Sequence, residues 1–425
     1  MTARTGLVGR LASVPAFFGL RVLSGLLLLK LSAGYLPVSG FAIFSQLLSF
    51  AALLNLIALG GAQNGLIRQA AAAIDDGALA RARSAALAIW MAVAPALGIA
   101  IATASVPIAN ILIGDRDAWR SVIVIAFLML AAGPGQIWCS LLSGRKRVAH
   151  SLAAQAVGLL AGTAVAAVFI HMGDPQAAAM GFACGPMITM ALAIPVGRRL
   201  GIGHVSIRSA SQEVRTLLRY SAALATTTGV SAILLFGLRY FYRQHFGATQ
   251  LGYWMAANRI SDMSTQLLGL FMVQFFVPHF AMEKNEPARR ALVVRCWTIA
   301  AATMGSIPLI FALAWRPIVH LLLSDAYLPA VPAIRIYMVG DFLRVWVSFA
   351  IYAAFARGRP TLYAGMEVAT LLLMALVVGG LIAVGDPSAP QTGYACAYGL
   401  AAIVTSVAFL WRPAPIVQLR AEPLR

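Results

Sequence analysis

The chain has 425 residues, of which 60% are hydrophobic and 11% charged, and its mean hydropathy is +0.83. A soluble domain is about 45–50% apolar and about 25% charged, so this chain has too few polar side chains to cover a soluble globule. A soluble enzyme and a disordered chain are excluded, which leaves an all-α polytopic membrane protein. The net charge of +18 would suggest nucleic acid in a soluble protein. Here the positions of the cations point to membrane topology and anionic lipid, and no nucleic-acid partner is expected.

Twelve apolar segments are long enough to cross a hydrocarbon core of about 30 Å as helix. In chain order they are 14–34, 41–62, 84–106, 119–141, 150–171, 177–197, 218–242, 251–277, 297–315, 331–355, 361–384 and 392–411. The first is too long for a signal peptide, carries Lys30 and has no small-residue cleavage site in place, so it is kept as a span.

The connecting stretches alternate in charge. One set holds Arg4 and Arg10; Arg68, Arg81 and Arg83; Arg145, Lys146 and Arg147; Arg198, Arg199, Arg208 and Arg215. It continues with Lys284, Arg289, Arg290 and Arg295; Arg357 and Arg359; Arg412, Arg420 and Arg425, making 21 of the 32 basic residues. The opposite set is nearly bare, with Arg116 and Arg120 after the third span and none in 172–176 or 385–391. Positive charge collects on the cytoplasmic side, so both termini are expected there.

Two halves of the chain can be laid over each other. Pro107–Asp115 matches Pro317–Asp325 at an offset of 210, and Gly144-Arg145 matches Gly358-Arg359. Pro175-Gln176 matches Pro390-Gln391, and Gly40-Phe41 with Gln46 resembles Gly252-Tyr253 with Asn258. All four offsets agree within five residues, which is the mark of an internal repeat. A six-span repeat gives both halves one orientation. The expected architecture is therefore two parallel six-helix lobes, 1–215 and 216–425, around a central cavity.

Charges inside the spans are the candidate functional residues, because each costs about 2.5–3.5 kcal/mol at mid-bilayer on insertion scales. The basic ones are Arg21, Lys30, Arg239, Arg259 and Arg344, and the acidic ones are Asp262, Asp341 and Glu367. Arg21 lies roughly 10 Å into the first span, out of easy reach of either interface. Lys30 falls on the opposite face of a straight helix and near its outer end, where snorkelling also accounts for it. Arg259 with Asp262, and Asp341 with Arg344, stand three apart on one helix face. Each is either a self-neutralising pair or a carboxylate whose proton or cation occupancy controls its arginine. Glu367 either titrates or reaches the inner surface.

The basic excess fits an anionic cargo, and the arginine fork pairs phosphate oxygens bidentately. Gln46, Gln63, Asn64, Asn258, Gln266 and Gln274 offer amides for sugar hydroxyls, or equally for contacts between helices. Arg243 and the aromatic runs Tyr240–Tyr242 and Tyr253-Trp254 are expected at the membrane interface. No cofactor or metal is implied by Cys139, Cys184, Cys296 and Cys396, whose spacing fits no ligand motif.

Several of these residues carry a family resemblance. Phe18-Gly-Leu-Arg21 through Leu29-Lys30, Gln63-Asn64-Gly65-Leu-Ile-Arg68, Leu321-Leu-Leu-Ser324-Asp-Ala-Tyr327 and Gly340-Asp341-Phe-Leu-Arg344 resemble Wzx-type lipid-linked oligosaccharide flippases. The likeness is greatest to the enterobacterial common antigen and O-antigen branch, within the multidrug/oligosaccharidyl-lipid/polysaccharide exporter superfamily. It implies a carrier of the cell inner membrane that moves undecaprenyl-pyrophosphate-linked repeat units from the cytoplasmic to the periplasmic leaflet. Proton or cation coupling, a cationic central cavity, and a glycan polymerase and chain-length regulator as partners are implied with it. Arg21 and Lys30 would take the basic positions of the first helix, and Asp341 and Arg344 the pair of the tenth. Arg239, Arg259, Asn64 and Asn258 would join the substrate contacts, with Asp262 and Glu367 as further coupling groups.

Other functions fit less well. A multidrug cation antiporter of the same superfamily needs an acidic cavity, and a lipid II flippase of the superfamily has fourteen spans. An enzyme needs a catalytic constellation, and the six histidines are scattered at span ends.

Overall fold

In the computed structural model, the described residues are 2–59, 61–199, 210–272, 276, 279–280, 285–357 and 360–411. Among them every regular element is a helix. That follows from the solvent: with no water to bond the peptide groups, a chain crossing the bilayer must satisfy them within itself. The helices are α1 (Thr2–Tyr35), α2 (Val38–Ile57), α3 (Gln63–Ala72), α4 (Asp76–Thr103), α5 (Ser105–Leu112) and α6 (Trp119–Ala131). They continue with α7 (Gly133–Gly144), α8 (Val148–His171), α9 (Pro175–Ala183), α10 (Gly185–Arg198) and α11 (Ser211–Phe271). The last four are α12 (Glu286–Leu322), α13 (Val331–Ala356), α14 (Pro360–Ala383) and α15 (Ala389–Trp411), with a 3₁₀ turn over Asp325–Ala330.

Among the described residues nine helical stretches are long and apolar enough to cross a membrane. They coincide with nine of the expected spans. The seventh expected span and the eighth as far as Phe271 lie within α11, and the twelfth within α15. Residues 273–275 and 277 of the eighth lie outside the described residues. So do Arg208, Lys284, Arg359, Arg412, Arg420 and Arg425 among the loop cations, and the side chains of Arg4, Arg10 and Arg290.

Local chemistry sets the breaks. α11 is interrupted by Gly247 (φ 84°, ψ 170°), a left-handed residue that divides the two expected spans. Asp75 caps α4 by accepting from the Ala78 amide at 2.5 Å, and Asp174 caps α9 by accepting from Gln176 and Ala177 at 2.9 Å. α12 bends at Ala314 (φ −125°, ψ 29°).

The chain groups into two compact units: Met1–Arg259 with Trp315–Val331, and Ile260–Ala314 with Pro332–Arg425. The core of unit one includes Phe44, Leu47, Leu54, Val122, Ile125 and Ile170, all buried. Within it α8 and α10 touch backbone to backbone. A Cβ on Gly158 would lie 2.0 Å from Thr189 Oγ1 and 2.5 Å from the Gly185 carbonyl, so this small-residue seam sets the helix spacing. Unit two packs around Phe276, Phe280, Val293 and Phe349. There Trp297 stacks on Trp346 at 4.3 Å, and the Trp346 indole N–H donates to Ser406 Oγ at 2.8 Å.

Gly158→Leu is expected to overpack the α8–α10 seam by about 1–3 kcal/mol. The thermal midpoint of the purified protein in detergent should fall, whereas Gly305→Ala, where a Cβ meets nothing within 4 Å, should leave it unchanged.

Candidate functional site

The last carbonyls of a helix have no partner within it, and they form the negative end of its dipole. In unit one, two such ends are bonded by cations from the opposite half of the sequence. Arg243, on α11, donates from Nη2 to the Asn110 carbonyl at the end of α5, at 2.5 Å. Lys30, on α1, donates from Nζ to the Leu323 carbonyl at 2.8 Å and to the His320 carbonyl, at the end of α12. Asn110 and His320 are equivalent positions of the repeat, so the two clamps are reciprocal: each half supplies the cation and each supplies the helix end. Reciprocity of this kind is what a two-fold relation between repeats produces. Ser324 Oγ adds a bond to the Ala33 carbonyl at 2.7 Å, and the Tyr327 ring packs between Phe41 and Tyr253.

Arg243, Tyr242 and Trp254 are buried against protein, whereas Phe241 of the same run is exposed. Tyr242 packs edge-on against Trp254 at 5.1 Å. Gly114, in a left-handed conformation (φ +84°), leaves room for the Arg243 guanidinium; a Cβ would come within 2.9 Å of it.

Two more predicted cations bind α2. Arg239 Nη1 donates to Gln46 Oε1 at 3.1 Å, with the rings of Phe236 and Trp254 about the guanidinium at 5.9 and 6.0 Å. Arg259 Nη2 donates to the Ser45 carbonyl at 2.9 Å and approaches Ser49 Oγ at 3.5 Å. Lys30, Arg239 and Arg259 therefore all have protein acceptors within unit one. Asn258 is half-buried beside them. The side chains of Asn64, Gln266 and Gln274 lie outside the described residues.

Arg21 stands apart from these. It is exposed and lines a half-open cavity of about 400 Å³ in unit one, and among the described residues its guanidinium has no acceptor.

Unit two holds the acidic residues. Asp341, on α13, is 4% exposed, and its Oδ1 accepts from Ser261 Oγ at 2.6 Å and from Tyr394 Oη at 2.9 Å. Arg344 Nη1 lies 3.5 Å from the same Tyr394 hydroxyl, and its guanidinium sits 5.8 Å from the centre of the Tyr398 ring. The connection between Asp341 and Arg344 thus runs through Tyr394. Gly340 makes it possible: a Cβ there would fall 2.3 Å from the Tyr394 ring. Asp262 lies within electrostatic reach of Arg344, and the half-buried Glu367 within reach of Tyr352 and Tyr363. Ser261, Tyr394 and Tyr398 escape a reading based on charge. The available signal is the pair of tyrosines four apart in an otherwise apolar last span. Among the described residues no three His, Cys, Asp or Glu side chains are grouped to hold a metal ion.

Residues 20–283 match the protein family described as "Polysaccharide biosynthesis protein". The chain is 22% identical over 400 residues to the lipid III flippase of Escherichia coli strain K12 and to that of Shigella flexneri, covering 92% of this chain and 95% of each relative. Among solved structures it is similar to an inward-facing multidrug resistance MATE family transporter of the MOP superfamily (TM-score 0.72, 13% identity, 93% of this chain and 96% of that one). It is also similar to the lipid II flippase MurJ in its inward closed conformation (TM-score 0.70, 13% identity, 95% of this chain and 87% of that one). The all-helical exporter fold expected from the sequence is the fold found.

Removing the bridging hydroxyl by Tyr394→Phe should cost about 1.5–3 kcal/mol, as for a hydrogen bond to a charged group. Asp341→Asn added to that background should cost less than it does alone, because the two share one interaction. Thermal unfolding of the four proteins in one detergent measures the cycle, and strict additivity would contradict the bridge.

Proposed function

We infer from this chain's membership of the polysaccharide biosynthesis protein family that it is a multi-pass carrier which flips a lipid-linked oligosaccharide by alternating access. Its cargo is an undecaprenyl-pyrophosphate-linked repeat unit, taken from the cytoplasmic to the periplasmic leaflet of the inner membrane. The similarity to a lipid III flippase over 92% of the chain supports a cargo of this class. The repeat supports two six-span lobes, 1–215 and 216–425, and the loop cations support cytoplasmic termini.

The observation that carries the mechanism is the pair of reciprocal clamps. An alternating-access carrier needs contacts that hold one state and can be broken for the other. Lys30 on His320 and Leu323, and Arg243 on Asn110, are a few hydrogen bonds of about 1.5–3 kcal/mol each between a charge and a carbonyl. Together they are of the size of a gap between conformers, large enough to hold a state and small enough for binding energy to overcome. Arg239 and Arg259, bonded to α2, belong to the same closed arrangement. When these contacts open, their cations become available to the pyrophosphate.

Asp341 is the coupling group of this reading. It is a buried carboxylate bonded by two hydroxyls and connected to Arg344 through Tyr394. Adding a proton or cation there removes the negative charge that balances the arginine. Asp262 and Glu367 lie near enough to share that task.

Vesicles containing the purified protein should move a fluorescent lipid-linked repeat unit between leaflets, and Asp341→Asn should make the rate insensitive to an imposed proton or sodium gradient. No movement of any lipid-linked saccharide, together with efflux of cationic drugs, would replace this reading with a drug antiporter.

A further inference from the structure

Unit one contains a half-open cavity of about 400 Å³ lined by α1, α2, α7, α8 and α10, the start of α3, and Met129 of α6 and Phe182 of α9. That is at the lower end of the ~300–1,000 Å³ typical of small-molecule sites. Its polar lining includes Arg21, Asn55, Gln63, Gln136, Gln155 and Thr189, and among the described residues no carboxylate lines it. Phe17, Phe182 and Pro186 contribute apolar surface.

The amides are ordered rather than scattered. Gln63 Nε2 donates to Gln136 Oε1, and Gln136 Nε2 donates to Asn55 Oδ1. Gln63 Nε2 also approaches the Asn55 carbonyl at 3.5 Å. This directional chain ties α2, the start of α3 and α7 together. It leaves the Gln63 carbonyl as an acceptor and the Asn55 amide as a donor. Gln155 Nε2 is engaged by Ser151 Oγ at 3.1 Å, which leaves its Oε1 as a second acceptor. The cavity therefore presents fixed donors and acceptors side by side, which is what hydroxyl groups need because each both donates and accepts. Arg21 adds one planar cationic fork without a protein acceptor among the described residues.

A cationic drug would find no counter-charge here, and a polyprenyl tail would leave the amides unbonded at a cost of about 1–3 kcal/mol each. A lone pyrophosphate would leave the amide chain idle. One ligand uses all three parts: a sugar ring with hydroxyls for the amides, a C–H face for the apolar wall, and a negative group for Arg21.

We propose that this cavity is a saccharide subsite that holds one anionic sugar of the lipid-linked cargo, with Arg21 on its carboxylate or phosphate. The proposal rests on the flippase reading and deepens it. It makes the cavity a selector of the saccharide head, separate from the contacts to the pyrophosphate.

The test uses the full-length protein in lipid nanodiscs, with saturation-transfer NMR to glucuronate, glucose 1-phosphate and neutral methyl glucoside. The two anions are expected to bind and the neutral sugar not, and preference between the anions tells carboxylate from phosphate. Arg21→Gln should weaken anion binding at least tenfold, and Gln136→Leu, which breaks the amide chain, should do so too. Arg21→Lys keeps the charge and should restore part of the binding, which separates loss of a ligand contact from loss of folding. Equal binding of the neutral sugar, or unchanged anion binding by Arg21→Gln, would overturn the subsite. If that happened while vesicles still flipped the lipid-linked repeat unit, only the subsite would fail. If nothing lipid-linked were flipped, the transport reading itself would fail.

Discussion

The last carbonyls of a helix have no partner within it, and they form the negative end of its dipole. This protein meets that constraint twice with cations drawn from the other half of its sequence, Arg243 on Asn110 and Lys30 on His320 and Leu323. Much of unit one is arranged around those two bonds. In the same unit Tyr242, Arg243 and Trp254 are buried, and the Tyr327 ring packs between Phe41 and Tyr253. Because the clamps are reciprocal, one geometric solution serves both halves.

The clamps also redistribute the charges. Of five basic residues inside the spans, Lys30, Arg239 and Arg259 have acceptors on helix ends or on α2, and Arg344 faces Tyr394 and Tyr398. Arg21 alone among the five borders the cavity of unit one without an acceptor among the described residues. Together with Asp341, these residues take positions of three kinds: cations bonded to helix ends or to α2, a tyrosine-bridged acid–base cluster and one cation beside ordered amides.

Asp341 illustrates how a short motif acquires meaning through packing. Gly340 contributes nothing chemical. Its missing Cβ lets the Tyr394 ring close on α13, and the Tyr394 hydroxyl then joins Asp341 to Arg344. The glycine, the acid and the arginine form one unit only when the last span is beside them.

The sequence by itself determined that the chain is helical and crosses the membrane, where its spans lie, and which few charges stand within them. Those properties follow from local composition, since each span must be apolar and must satisfy its own backbone. Residues such as Pro107–Asp115 and Pro317–Asp325 also carried the repeat. Only the tertiary structure decided which groups the charges within the spans meet. Partners such as Asn110 for Arg243, Tyr394 for Asp341 and Gln136 for Asn55 lie 50 or more residues away in the chain. A hydrogen bond depends on distance in space, and neither hydropathy nor spacing along one helix encodes that distance.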